Sequence, residues 1–336
     1  MRRSGWRHWI RDPRRSSKYW SPRPCAGVHV AALPTFEPFA SRLDFQWTPE
    51  QVRGDEGGEV SAETVRVAIA DAAARIASAT PRLDAELLMA HALGVSHQDL
   101  LLKHLSDPAP SSFDALVARR LAYEPVAYIT GSRGFWTVEI GVGPGVLVPR
   151  ADSETLIEAA VAHFGGGQGP GRVLDLGTGP GTLLLAALAE WPEAYGLGVD
   201  SSEAALAYAR RNATTLRIAD RAIFKPGDWA TGLAGQFDLI LCNPPYIGIA
   251  EELGPEVRGH EPPAALFAGA DGLDDYRRIV PELPRLLAPG GLAVLEIGWM
   301  QGEAVSALMR GAGLDPVLHH DLGGRPRAIA AKMPRS

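Results

Sequence analysis

Only two of the 336 residues are cysteine, Cys25 and Cys242, far apart in the chain, and the second closes the apolar stretch Phe237-Asp-Leu-Ile-Leu-Cys242. That excludes a disulfide framework and a cysteine-built zinc site, so no metal is expected, and it suits a reducing compartment. Long hydrophobic runs are missing too. The best, Thr182 to Ala189, stops at Glu190, far short of the ~20 apolar residues a membrane helix needs, so a soluble chain with no membrane partner is expected. Internal repeats are absent, and a composition of 46% hydrophobic and 21% charged residues excludes collagen-like, coiled-coil and wholly disordered classes. Two phosphate-binding patterns are lacking: no Gly-Lys-Ser/Thr follows a glycine loop, and no GxGxxG is spaced for a dinucleotide. Nor is there a general surplus of positive charge. The formal net charge is −6, yet residues 1–24 hold eight Lys/Arg against one acid, which leaves the remainder near −13. An acidic body argues against broad nucleic-acid binding, and no direct nucleic-acid partner is expected.

What is present is enough chain for roughly two domains at about 150 residues each. Residues 1–58 read as a poorly ordered Arg/Pro/Gly-rich extension without lasting periodicity. Three readings stay open for it: a start placed too far upstream, a genuine tail, or an organellar targeting signal. The compartment follows: bacterial cytoplasm, or the mitochondrion if the segment is a transit peptide. From Ser61, a credible N-cap, Val65, Ile69, Ala72, Ala73 and Ile76 fall on one helical face. Pro81 opens a second helix that carries Leu83, Leu87, Leu88 and His91 toward a stop at Gly94. Further helices are predicted over 98–104 and 112–121, so that 59–128 forms a small helical domain. Residues 129–165 form a linker region with strands at 135–140 and 146–148. After the glycine-rich stretch 164–171, the domain over 166–336 alternates strands (172–176, 195–199, 222–225, 237–242, 292–297) with helices such as 202–212 and 273–287. That alternation predicts an α/β fold with a mostly parallel sheet covered on both faces, ending in an antiparallel hairpin of 316–321 and 327–332.

Two loops carry chemistry. Val173-Leu-Asp-Leu-Gly-Thr-Gly-Pro-Gly181 ends a strand and opens a helix, and Gly177, Gly179 and Gly181 let the backbone bend sharply and approach a ligand. Thr178 and Pro180 complete the turn. Asp200 closes the next strand, where a carboxylate can accept both hydroxyls of a ribose. With no pyrophosphate pattern, a nucleoside without diphosphate fits, and S-adenosylmethionine is that ligand. At the end of strand 237–242 stands Asn243-Pro244-Pro245-Tyr246. Asn243 offers a side-chain oxygen, the Pro244 carbonyl offers a second acceptor, and the prolines stiffen the turn without adding donors. Two acceptors can hold both hydrogens of a planar carboxamide or base while Tyr246 stacks on it. The nitrogen is then aimed at an activated methyl, and catalysis is positioning plus electrostatics.

Together these residues resemble the N5-glutamine methyltransferases that modify peptide chain release factors. The similarity runs from about residue 60 to the C-terminus. It is carried by Arg82-Leu-Asp-Ala-Glu-Leu-Leu88, Glu124 to Gly131 with Phe135-Trp136, Val148 to Glu154, Asp175 to Gly179, the Asn-Pro-Pro-Tyr loop, Glu261-Pro262, Asp271-Gly-Leu273, Glu296-Ile-Gly-Trp299 and Gln301-Gly-Glu303. The resemblance implies a Rossmann-like class I methyltransferase domain, an N-terminal helical domain that helps hold the release factor, and a monomer. It implies methylation of the glutamine in the factor's Gly-Gly-Gln motif. It also implies cofactor contacts at Gly177 to Gly181, Asp200, Trp229 and Asn243, with the glutamine held by Asn243 to Tyr246; for Trp229 the alternative is a core aromatic. Arg150, Asp152 and Glu154 order the entrance or serve as structural ion pairs. The chain departs from the family pattern at Ala151, where a proline commonly stands, and at Gly134, where an acid often precedes Phe-Trp. A ribosomal-protein glutamine methyltransferase would share both loops. An N6-adenine DNA methyltransferase would share the acceptor loop, but no target-recognition domain is evident. A cofactor-binding module without activity would not need that loop intact.

Overall fold

The computed structural model describes residues 63–334. The extension over 1–58, Cys25 and the cap predicted at Ser61 lie outside them. The first helix, α1 (Val65–Arg75), begins directly after Thr64 and buries Val65, Ala68, Ile69 and Ala72. α2 (Pro81–Leu93) starts on a proline, whose missing N–H costs nothing in a first turn, and ends at Gly94 with φ 67°. α2 turns a partly polar face inward. Leu83 is 41% exposed and His91 is exposed, whereas Asp84, Ala85, Leu88 and Met89 are buried. An interior ion pair turns the helix this way: Arg120 Nε donates to Asp84 Oδ2 at 2.9 Å, with both side chains nearly enclosed.

α3 (His97–Asp99) runs on into a π turn over Leu100–His104. With α4 (Phe113–Leu121) and α5 (Val126–Thr130), it closes a small core around Ile69, Leu88, Met89, Leu100, Phe113 and Val117. The single strand predicted over 135–140 is instead a hairpin, β1 (Ser132–Phe135) and β2 (Val138–Gly141), because Trp136 takes φ 53° and reverses the chain. Residues 146–148 form no strand. Their backbone is satisfied by side chains instead: Tyr128 Oη donates to the Val146 carbonyl, and Val148 N donates to Glu261 Oε2.

Then come α6 (Glu154–Phe164), β3 (Arg172–Leu176), α7 (Thr182–Glu190), β4 (Tyr195–Asp200), α8 (Glu203–Thr215), β5 (Ala222–Pro226) and β6 (Phe237–Cys242). α9 (Pro255–His260), α10 (Asp274–Ile279), α11 (Leu283–Leu286), β7 (Leu287–Glu296), α12 (Gly302–Gly311), β8 (Asp315–His320) and β9 (Pro326–Lys332) complete the chain. The seven strands lie in the order β5-β4-β3-β6-β7-β9-β8, with the first five parallel and β9 antiparallel to both of its neighbours. The helix predicted over 273–287 is broken into α10, a 3-10 turn and α11, where Pro281 and Pro284 withhold backbone donors. β7 begins five residues before its predicted start and pairs irregularly with β6 between Phe237 and Leu239.

The central strands of the sheet are buried on both faces, as continuous apolar strands require. Val173, Leu239 and Leu241 face Leu156, Leu184 and Leu188 on one side. Leu174, Ile240 and Leu295 face Tyr276, Leu283 and Val305 on the other. From β3 the chain runs outward through β4 and β5, then returns to β3's other side with β6. The crevice opens where that order reverses, beyond the carboxyl ends of β3 and β6. Among the described residues no helix is long and apolar enough to cross a membrane.

Candidate active site

Strand register brings the two predicted loops together. Leu176 pairs with Val199 on one side and Cys242 on the other, and Cys242 pairs with Leu295. Gly177, Asp200, Asn243 and Glu296 therefore leave four adjacent strands at one level. A cavity of about 370 Å³ opens over them, lined by Gly177, Thr178, Gly179, Pro180, Asp200 and Trp229, and by Asn243 and Pro245 of the acceptor loop. Its size is that of a small-molecule site. Of the predicted residues, Gly181 stands behind this wall as the left-handed residue before α7, and Pro244 is buried. Tyr246 is half-buried and directed at Glu296.

The glycine turn is built for a close approach. Gly177 has φ +71°, and a Cβ there would lie 2.8 Å from Trp229 Cζ3, so a side chain would collide with the indole. Trp229 itself adopts φ 48° and is fixed by donating from Nε1 to Asp275 Oδ1 at 3.0 Å. Its ring both lines the cavity and packs on the core below. Asp200 ties the turn down: Oδ2 accepts from Gly179 N and Oδ1 from Ser202 N, each at 2.8 Å. Each oxygen keeps a further lone pair for a ligand hydroxyl.

Asp175 lies beneath the same turn. Its Oδ2 accepts from Thr178 Oγ1 at 2.7 Å and from Leu184 N at 3.2 Å, and its Oδ1 is buried without a donor. Burial pushes this carboxyl up to about 7, against the pull of those two hydrogen bonds and with a smaller push from Asp200. An acceptor left open under a glycine cradle, a ribose-spaced carboxylate and an aromatic wall suit a cationic nucleoside such as S-adenosylmethionine.

The acceptor loop is held from three directions. Asn243 Nδ2 donates to Ser153 Oγ at 3.2 Å, which turns Oδ1 away from that contact. Tyr246 Oη donates to Glu296 Oε1 at 3.2 Å, and burial raises its phenol well above the ordinary value. Gln301 Nε2 donates to the Tyr246 carbonyl at 2.9 Å while its Oε1 accepts from Gly298 N at 3.0 Å. Gly272, at φ +70°, lets a neighbouring turn press on the same place, where a Cβ would be 2.1 Å from the Tyr246 carbonyl oxygen.

Arg150, Asp152 and Glu154 form structural contacts around the rim. Arg150 lines the cavity and pairs with buried Glu261, Asp152 meets Arg327 at 2.9 Å, and Glu154 accepts from Trp136 N at 2.8 Å. Glu256 of α9, in the segment after the acceptor loop, reaches Arg120 at 2.8 Å and so ties the helical region to the site. Sequence reasoning gave no role to Ser153, Asp275, Glu296 or Gln301. The blocks holding Glu296 and Gln301 stood out as motifs, but only the fold shows that both touch the acceptor loop.

Two family models match: the PrmC N-terminal domain over residues 68–131 and the methyltransferase small domain over 151–252. The chain is similar to the release factor glutamine methyltransferase of Rhodospirillum rubrum, 45% identical over 258 residues, 75% of this chain and 79% of that one. It is 44% identical to that of Cereibacter sphaeroides over 282 residues, 82% of this chain and 99% of the relative. It is 40% identical to that of Escherichia coli over 237 residues, 68% of this chain and 83% of the relative. Similarity of this depth spans the helical segment, the glycine turn and the acceptor loop alike, and the chain belongs to the family of release factor glutamine methyltransferases.

Proposed function

We propose that this protein transfers a methyl group from S-adenosylmethionine to the side-chain amide nitrogen of the glutamine in the Gly-Gly-Gln motif of peptide chain release factors. The observation that carries the reading is the juxtaposition of Asn243 with Gly177 across the β3–β6 pair, with the Asn243 amide tethered through Nδ2 so that Oδ1 is left to accept.

The cofactor fits the residues around the cavity. The glycine turn would hold its amino-acid part over Asp175, Asp200 its ribose, and Trp229 with Asp275 the adjoining wall. When bound it supplies an electrophilic methyl on a sulfonium. The chain's own residues handle the acceptor. A carboxamide nitrogen is a poor nucleophile because its lone pair is delocalised. Asn243 Oδ1 and the Pro244 carbonyl each accept one of its hydrogens, which fixes the plane of the amide and leaves the nitrogen's face toward the cavity. The hydrogens become acidic only as the nitrogen forms its new bond, so these acceptors strengthen their hold in the transition state and no strong base is needed beforehand. Pro244 and Pro245 keep the loop from relaxing, and the Tyr246 ring flanks the amide.

Incubation with methyl-labelled S-adenosylmethionine, purified release factor, ribosomal proteins and duplex DNA tests the reading. Label on the Gly-Gly-Gln glutamine is expected. Label on ribosomal protein or DNA, with none on the factor, would overturn it.

A further inference from the structure

Asn243 can serve as an acceptor only if its amide presents oxygen to the cavity, and the choice between oxygen and NH₂ is made behind it. Asn243 Nδ2 meets Ser153 Oγ at 3.2 Å. Ser153 is 3% exposed and stands in the 3-10 turn before α6. A hydroxyl that accepts from Asn243 has its own proton to give, and the carboxyl beside it is Glu296. Glu296 is 1% exposed at the end of β7. Its Oε1 takes the Tyr246 hydroxyl at 3.2 Å, while its Oε2 is buried with no donor in ordinary hydrogen-bond geometry. One carboxyl thus stands behind both side chains that flank the acceptor nitrogen. Strand pairing explains why: Cys242 and Leu295 are register partners, so the next residues, Asn243 and Glu296, emerge side by side.

We infer that Ser153 and Glu296 are positioning residues: the Glu296 carboxylate fixes the direction of an Asn243–Ser153–Glu296 hydrogen-bond relay and so keeps the Asn243 oxygen toward the substrate. The inference deepens the function proposed above and rests on it for its meaning in catalysis.

The relay has a direction. With Glu296 ionised, Ser153 donates to it and accepts from the Asn243 NH₂. With Glu296 protonated, the carboxyl donates to Ser153, whose proton then faces Asn243 and calls for its oxygen. The amide would turn over and oppose its NH₂ to the substrate's NH₂. Burial pushes Glu296 up to about 7, against the pull of the nearby Ser153 hydroxyl, Arg327 and the Tyr246 hydroxyl, while Asp152 adds to the rise. Of the other titratable groups facing it, Tyr276 donates to the Glu296 backbone carbonyl at 2.7 Å, and both Tyr276 and Cys242 stay neutral because burial raises them far above their ordinary values. Arg327 is itself shared with Asp152 at 2.9 Å and Asp321 at 3.3 Å. Among the groups in direct contact with it, Glu296 is the one that changes state near neutrality; Asp175, also raised to about 7, stands on β3 with β6 between it and β7, and its effect on Asn243 would persist in Ser153→Ala and Glu296→Gln.

The test exploits composition. The chain has two asparagines, Asn212 and Asn243, so asparagine-selective ¹⁵N labelling gives two side-chain amide groups. Asn212 is an internal reference, held by the Gly141 and Pro180 carbonyls at 3.0 and 2.8 Å. In the full chain the Asn243 NH₂ signals are expected to move with a midpoint near the value for Glu296 over roughly pH 5.5 to 8.5, and to stop doing so in both Glu296→Gln and Ser153→Ala. Release-factor methylation by the wild type should lose kcat along the same acid limb. Ser153→Ala should lower kcat by about tenfold or more and leave the dissociation constant for S-adenosylmethionine within about twofold, because a positioning group acts on the reacting nitrogen. An Asn243 signal that is flat with pH in the wild type, a titration that persists in Ser153→Ala, or equal losses in kcat and cofactor affinity would each overturn the inference. The NMR arm needs no substrate. Failure to methylate a release factor would sink the proposed function while the titration still decides the relay.

Discussion

At the residue scale, two side-chain decisions define the site. Asn243 places its NH₂ on Ser153, and on the proposed function its oxygen receives the substrate amide, so Asn243→Ala should remove an interaction that matters chiefly at the transition state. We expect kcat to fall by about 10² or more, on the order of 2.7 kcal/mol, with cofactor affinity changed only a few-fold. Single-turnover methylation alongside calorimetric titration of the cofactor separates the two quantities, and parallel losses would contradict the role. Gly177 makes the complementary decision by having no side chain. Gly177→Ala adds a Cβ into the Trp229 indole at a backbone angle that L-residues avoid. Here the dissociation constant for S-adenosylmethionine should rise by about tenfold or more, since about 1 kcal/mol of backbone strain adds to a displaced wall. Unchanged binding would show that the indole moves aside freely.

At the scale of elements, the site depends on parts that do not touch the ligand. Gln301, at the head of α12, holds the Tyr246 carbonyl and is itself set by Gly298. Gln301→Ala should loosen the acceptor loop and lower kcat, with little effect on the midpoint of chemical unfolding. A drop in stability with kcat preserved would assign it to the core instead. Arg120 is a stability matter. It is 4% exposed between Asp84 of α2 and Glu256 of α9, and Arg120→Ala would strand Asp84 as a buried charge, at a cost of about 3 to 5 kcal/mol in urea unfolding. These elements also mark how far the sequence could be read. The place of the glycine turn and of Asn-Pro-Pro-Tyr beside one cavity was legible because each is a local pattern at the end of an apolar strand. Gln301 and Glu296 act 55 and 50 positions from Tyr246, and such partners become neighbours only after strands β6 and β7 have paired. The inward turn of Asp84 on α2 was not legible for the same reason, because its partner Arg120 is 36 residues away.

For the whole molecule, the parallel sheet and its closing hairpin followed from apolar runs of strand length separated by helical stretches. The breaks at Trp136, Pro281 and Pro284 depend on local backbone angles that hydropathy does not encode. Buried carboxyls give the assembled fold a pH signature. Asp175 is raised from 3.8, and Glu296 from 4.5, to about 7 by burial. Between those limits the folded protein keeps protons that the unfolded chain sheds, so these groups favour the fold below the unfolded values and lose that contribution as pH rises through 7. Asp175→Asn cannot ionise at that position. Its melting temperature relative to wild type should therefore climb by several degrees between about pH 5 and 8, as differential scanning calorimetry without cofactor would detect. A constant offset would place the Asp175 carboxyl at an ordinary value. The pairing of Leu176 with Cys242 and of Cys242 with Leu295 has one last consequence. Side chains along a strand alternate between the two faces, so the catalytic arrangement obeys a rule of parity. One residue inserted anywhere within β6 would send Asn243 to the wrong side of the layer, while two would restore its orientation but carry it past its neighbours by a full repeat of the pleat.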